Sequence, residues 1–214
     1  MDTPLQVEKT GILVVDFQGD FTQVHSGALA VEGTDQSYID KTIHATRAFK
    51  KKGFKLFATQ DFHPQNHISF YTNHKNKRPF ETIDINGGTQ MLWPPHCVQG
   101  TENATLLADV DLFENIVTKG MDPNYDSYSG FFDDGGADTG LKGILKSCGI
   151  NTLVIYGLAT DYCVKATAMD AVQCGFCVIL IKDLSKGVAP ETTARALIEM
   201  EKNHVIIKHS QSYI

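Results

Sequence analysis

No apolar run in this 214-residue chain approaches the ~20 residues that a membrane-spanning helix requires. Residues Met1 to Gly11 are polar and lack the apolar segment of a secretory signal, so the sequence alone points to neither membrane insertion nor export. Basic residues are also too few for an electrostatic nucleic-acid surface: 19 Lys and Arg stand against 25 Asp and Glu, a net charge of −6. The single basic cluster, Lys50-Lys51-Lys52, precedes Gly53 at the end of a helical pattern, where it complements the negative end of the helix dipole. The five cysteines, an odd number, form no disulfide framework of the secreted kind, so the expected compartment is reducing and cytoplasmic.

What is present suffices for a full core, since 42% of residues are hydrophobic and 21% charged. Apolar runs alternate with helical periodicity. The runs Gly11–Val15, Phe54–Thr59, Phe113–Thr118, Leu153–Tyr156, Phe176–Ile181 and Val205–Ile207 read as strands. Helices are predicted over Asp35–Lys52, with Ile39, Ile43, Thr46 and Phe49 on one side, over Asp161–Gln173, and from Pro190 to Glu201. This alternation predicts an α/β fold, a mostly parallel central sheet between two helical layers, in one domain spanning 1–214. Two segments depart from it. Residues 63–107 form a long insertion with a plausible hairpin turn at Asn86-Gly87-Gly88, and Asp133–Gly140 is a loop rich in Asp and Gly.

In an open parallel sheet, ligands bind beyond the carboxyl ends of the strands. Asp16 ends the first predicted strand, Asp61 and His63 follow the second, Lys119 the third and Cys163 the fourth. Cys163 falls in the first turn of a helix, where the dipole favours thiolate, although a plain core cysteine would also fit there. Cys174 and Cys177 form a C-x-x-C, but it runs from a helix end into a strand and has no second pair for zinc. In Asp61-Phe62-His63 the two polar side chains face the same way if the segment is extended, and a carboxylate with imidazole suits zinc, iron or manganese. His67 and His96 lie in the adjoining loop. His25, His44, His74, His204 and His209 have no such company.

The stretches Val14–Phe21, Gln60–Pro64, Asn66–Phe70, Trp93–Thr101, Lys119-Gly120 and Gly157–Val164 together resemble the nicotinamidase branch of the isochorismatase-like cysteine hydrolases, nearly end to end. The resemblance implies a three-layer α/β/α fold and a catalytic triad of Asp16, Lys119 and Cys163. It further implies a divalent metal, zinc first and iron or manganese as alternatives, held by Asp61, His63 and His96, with water or His67 completing the shell. Phe21 and Trp93 would flank the substrate ring, with Leu158 and Ala159 also at the substrate. A cis Leu158–Ala159 peptide would place the Ala159 and Cys163 amides as an oxyanion hole. The implied reaction is hydrolysis of nicotinamide to nicotinate and ammonia in NAD salvage, with pyrazinamide as a second substrate; homo-oligomers are common among such proteins. Gly19, where Asn is usual, and the long stretch from Tyr71 to Leu92 depart from compact members, and Tyr128 is a candidate wall residue. The competing readings are a metal-independent relative cleaving another small amide or carbamoyl compound, an isochorismatase, and a catalytically idle binding protein on the same fold.

Overall fold

The computed structural model describes residues 5–85 and 87–214. The chain opens with β1 (Thr10–Val15), crosses through α1 (Gln36–Lys51), and returns as β2 (Lys55–Asp61). A hairpin of β3 (Thr82–Ile85) and β4 (Gly88–Met91) follows, then β5 (Asn115–Lys119) and α2 (Leu141–Ser147). The remainder is β6 (Thr152–Gly157), α3 (Lys165–Gln173), β7 (Cys177–Ile181), α4 (Pro190–Lys202) and β8 (Ile206–Lys208). Six strands form one sheet in the order β5-β2-β1-β6-β7-β8, and every adjacent pair is parallel. The predicted strands and helices are all present, with ends shifted by one or two residues except at the start of α3, which lies four residues later than predicted.

The pleat divides the core. Ile12 and Val14 of β1 join Leu56, Val154 and Tyr156 beneath α1, which contributes Tyr38, Ile39 and Phe49. Leu13 and Val15 point the other way, with Phe57, Leu153 and Ile155, onto α2, α3 and α4 through Leu141, Ala168 and Met200. Strands covered on both faces explain why they read as continuous apolar runs rather than alternating ones. α1 begins as its sequence demands, with Asp35 accepting the Tyr38 amide at 3.0 Å as the N-cap, and Gly53 follows at φ 87°. Lys50 pairs with Glu114 at 2.9 Å, so the basic cluster is a helix end.

Strand order reverses on either side of β1, so the crevice at the carboxyl ends of β1 and β6 is where a ligand is expected. Two features shape it. Gly157 adopts φ 137°, and a Cβ there would collide with the Val15 carbonyl. The next peptide, Leu158–Ala159, is cis, as the resemblance implied. The helix predicted from Asp161 begins differently: Thr160–Val164 is a π turn, with the Val164 amide reaching the Ala159 carbonyl at 3.1 Å, and α3 starts only at Lys165.

The insertion is anchored along its length. The Gln18 amide donates to the Asp61 and Ala104 carbonyls at 2.8 Å each, and its Oε1 accepts the Asp61 amide at 2.8 Å. Around a bridge to Val98 the His63 amide donates to the Cys97 carbonyl and the Gln99 amide to the His63 carbonyl; around Phe70 the Trp93 amide donates to the Ser69 carbonyl and the Tyr71 amide to the Trp93 carbonyl. β3 and β4 pair antiparallel, placing the predicted hairpin turn between Ile85 and Gly88; Asn86 itself lies outside the described residues.

Candidate active site

Asp16 closes β1 at φ 45°, with its amide bonded to the Thr59 carbonyl at 3.2 Å and its Oδ1 accepting the Thr59 hydroxyl at 2.7 Å. Lys119, at the end of β5, is fully buried between four acceptors. Its ammonium lies 2.9 Å from Asp16 Oδ2, pairs closely with Asp61 Oδ1, donates to the Ser127 carbonyl at 2.7 Å, and reaches Cys163 Sγ at 3.6 Å. Among the described residues Asp16 Oδ2 has this ion pair and no other partner, so the buried carboxylate oxygen keeps an uncommitted lone pair. Asp16, Asp61 and Cys163 present atoms within 4.8 Å of one another. Three strand ends and one turn, more than forty residues apart in sequence, thus converge.

Burial dominates the acid–base behaviour. It pushes Asp16 up to about 6, aided by the neighbouring Asp61 and opposed by Lys119 and the Thr59 hydroxyl. Cys163 is raised well above the ordinary thiol range, again by burial, with Lys119 opposing. The expectation from helix position alone was a thiolate. Loss of water outweighs the dipole here, so the resting sulfur holds its proton and needs a base beside it.

The second cluster joins Asp61, His63 and His96, all buried, with donor atoms within 4.8 Å. His63 Nδ1 bonds the Gly120 carbonyl at 2.9 Å and His96 Nδ1 bonds the Pro94 carbonyl at 2.8 Å. A carbonyl can only accept, so each Nδ1 carries hydrogen and Nε2 is the ring atom left to hold a metal. His63 Nε2 lies 3.6 Å from Asp61 Oδ2. Burial lowers His96 to about 4, helped by His63, which keeps it neutral; for Asp61 burial is outweighed by Lys119 and His63, holding it well below the usual carboxylate range. Against the effect of burial, Asp61 raises His63 above the ordinary imidazole range. A carboxylate and two imidazoles, each oriented through its Nδ1, fit a divalent transition metal. Gly120, at φ 65°, packs directly on the His63 ring, and any side chain there would strike it.

His67 is arranged otherwise. It lies near His63 and Asp126, but its Nε2 bonds the Tyr125 carbonyl at 3.1 Å and its Nδ1 faces the Ser69 hydroxyl at 2.8 Å. Both nitrogens are thus engaged, so His67 would join a metal shell only by giving up its bond to Tyr125 or to Ser69. Among the other histidines, His25 bonds Thr22 and His74 the Ile68 carbonyl, in keeping with packing roles. All five cysteines are free, Cys174 and Cys177 included.

Above these groups opens a cavity of about 190 Å³, below the several hundred Å³ (about 300–1,000) of larger ligand sites. Phe21, Trp93, Ala159 and Cys163 line it, with Asp61 and His96 at its polar end. Tyr128 is indeed a wall residue, and its hydroxyl accepts the Trp93 indole N–H at 3.0 Å. Leu158 is not: its side chain lies wholly within the core beneath α1, and only Ala159 of the pair lines the cavity. Sequence reasoning did not single out Phe80, Asp126, Tyr162 or Val188, which also line it. Tyr162 sits edge-on to Trp93 at 5.2 Å, and its place one residue before Cys163 was the one available signal.

Comparison with known proteins bears on the same arrangement. The isochorismatase domain model matches residues 10–211. A nicotinamidase of Acinetobacter baylyi is 44% identical over 186 residues, covering 86% of this chain and 84% of its own. The solved nicotinamidase/pyrazinamidase of Acinetobacter baumanii superimposes with a TM-score of 0.89 at 37% identity, over 98% of this chain and 100% of that one. A Pyrococcus horikoshii pyrazinamidase solved in complex with zinc gives 0.79 at 38% identity, over 94% and 99%. With buried Asp, Lys and Cys converging beside a carboxylate–imidazole cluster, on a fold shared almost end to end, the chain belongs to the isochorismatase family, within its nicotinamidase branch.

Proposed function

We propose that this chain, acting as one cytoplasmic catalytic domain, hydrolyses nicotinamide to nicotinate and ammonia in NAD salvage, cleaves pyrazinamide likewise, and uses zinc as its metal. The observation that carries the reading is the contact set around Lys119: one buried ammonium holds together a carboxylate with a free lone pair, the candidate nucleophile, and a candidate metal ligand. Zinc is favoured because the zinc-bound Pyrococcus horikoshii relative spans nearly the whole chain. A reducing compartment is consistent with five unpaired cysteines.

An amide is a poor electrophile, so division into two steps lowers each barrier. Asp16 Oδ2 takes the Cys163 proton, and the sulfur adds to the carboxamide carbon. The oxygen of the tetrahedral adduct accepts from the Ala159 and Cys163 amides, donors of a kind worth about 3–4 kcal/mol each in comparable sites. Asp16 then passes its proton to the nitrogen, ammonia departs, and a thioester is left on Cys163. Water, deprotonated by Asp16, releases nicotinate and restores the thiol. Lys119 holds Asp16 in register and offsets charge developing on sulfur. Phe21 and Trp93 supply apolar ring surface. A dication held by Asp61, His63 and His96 would supply a Lewis-acidic partner for the pyridine nitrogen.

Ammonia release from nicotinamide by purified protein tests the reading, before chelation, after it, and after zinc is restored. Activity that disappears on chelation and returns with zinc is expected. Undiminished activity in metal-free protein would favour the metal-independent amidohydrolase instead.

A further inference from the structure

Three groups of ligating side chains overlap in this site: Asp16–Asp61–Cys163, Asp61–His63–His96, and His63–His67–Asp126, each with atoms within 4.8 Å. The proposed chemistry uses the first two. The third contains a carboxylate without an assigned role. Asp126 lines the cavity and is 5% exposed, yet among the described residues no cationic side chain pairs with it. Its Oδ1 accepts the Ser127 amide and its Oδ2 accepts the Gln90 side-chain amide, both at 2.9 Å. Gln90 is itself buried, on β4 of the insertion hairpin, and its Nε2 also donates to the Met91 carbonyl at 2.7 Å. The Asp-rich loop reaches the same point, since the Asp134 amide bonds the Asp126 carbonyl at 2.7 Å.

Two neutral hydrogen bonds do not offset the burial of a full negative charge, which costs several kcal/mol unless an opposite charge lies near. The one buried ammonium of the site, Lys119, is paired with Asp16 and Asp61, whereas Asp126 presents its carboxylate within 4.8 Å of His63 and His67, on the metal side of the cavity.

We propose that Asp126, oriented by Gln90 of the β3–β4 hairpin, is a positioning residue of the metal centre, where its charge strengthens retention of the cation held by Asp61, His63 and His96. This deepens the metal-dependent reading above and rests on it. It also gives the hairpin a function: Gln90 fixes where the charge sits. Asp126 acts through its field and its neighbours His63 and His67, without being a ligand itself.

Competition for zinc against a chromophoric chelator tests the idea in wild type, Asp126→Asn, Asp126→Glu and Gln90→Ala, with melting of the metal-free proteins as the fold control. Loss of an outer-shell partner typically weakens metal affinity by about 10–100-fold, and Asp126→Asn should do the same without lowering the metal-free melting temperature. Asp126→Glu, which keeps the charge, should recover most of the affinity, and Gln90→Ala should weaken it several-fold. A purely structural Asp126 would move the melting temperature and leave affinity alone. Should the Asn variant not fold, Gln90→Ala decides, and affinity equal to wild type overturns the proposal. Wild type that binds zinc while Asp126→Asn binds it equally well sinks this inference alone; wild type that binds no divalent metal sinks the metal-dependent reading with it.

Discussion

Replacing Asp16 with Asn should abolish activity and at the same time stabilise the metal-free fold. The side chain is fully buried, and burial raises its carboxyl from 3.8 to about 6 even with Lys119 beside it. Two units at 1.36 kcal/mol each mean that keeping Asp16 ionised costs about 3 kcal/mol at neutral pH. The sign follows from the direction of the shift. A carboxyl raised on folding contributes stability that is full below pH 3.8 and lost as pH rises through about 6. Asn carries no such dependence. Urea denaturation in the presence of chelator should therefore show the variant ahead by about 3 kcal/mol at pH 7.5, shrinking below about 1 kcal/mol by pH 4. For a chain of this length that advantage corresponds to very roughly 6–12 °C in Tm. A variant less stable than wild type at pH 7.5, or an advantage that does not change with pH, would refute the claim that burial strains this carboxylate.

Other consequences follow from the same geometry. Acid should lower kcat/KM as Asp16 gains a proton, with an acid limb at or below about pH 6; a profile flat from pH 5 to 8 would remove Asp16 from the role of base. Gly120→Ala should release the metal, because its methyl group strikes the His63 ring and its backbone is held at φ 65°; elemental analysis showing wild-type metal content would contradict this. Benzamide, which stacks as nicotinamide does but has no ring nitrogen to coordinate, should be hydrolysed far less efficiently, and equal kcat/KM values would argue against substrate orientation by a metal.

The sheet and its switch point were legible because strands buried on both faces leave unbroken apolar runs, and α1 because Asp35, its apolar stripe and Gly53 agree. Helix α2 was missed: it has seven residues, Lys142, Gly143, Lys146 and Ser147 dilute its apolar pattern, and no side chain caps it. The start of α3 was misplaced because nothing in Thr160–Val164 distinguishes a π turn from an α turn. At the site, residue type at strand ends located Asp16, Asp61, His63, Lys119 and Cys163. What sequence could not supply is the partner of each lone pair. The bonds of His67 to Tyr125 and Ser69 cannot be read from its place in the sequence, and Asp126 gains meaning only from Gln90, thirty-six residues away. The thiol of Cys163 shows the same limit, since its burial arises from tertiary packing that helix position cannot report.

The central claim, that Cys163 attacks the amide carbon while the metal only assists, is tested most directly by mass spectrometry. The protein would be mixed with excess nicotinamide, quenched in acid during turnover, digested and analysed. The account predicts a nicotinoyl increment on the peptide carrying Cys163, less of it in Lys119→Ala, and none in Cys163→Ala, which should be inactive while still holding metal. An unmodified Cys163 peptide together with substantial turnover by Cys163→Ala would contradict it.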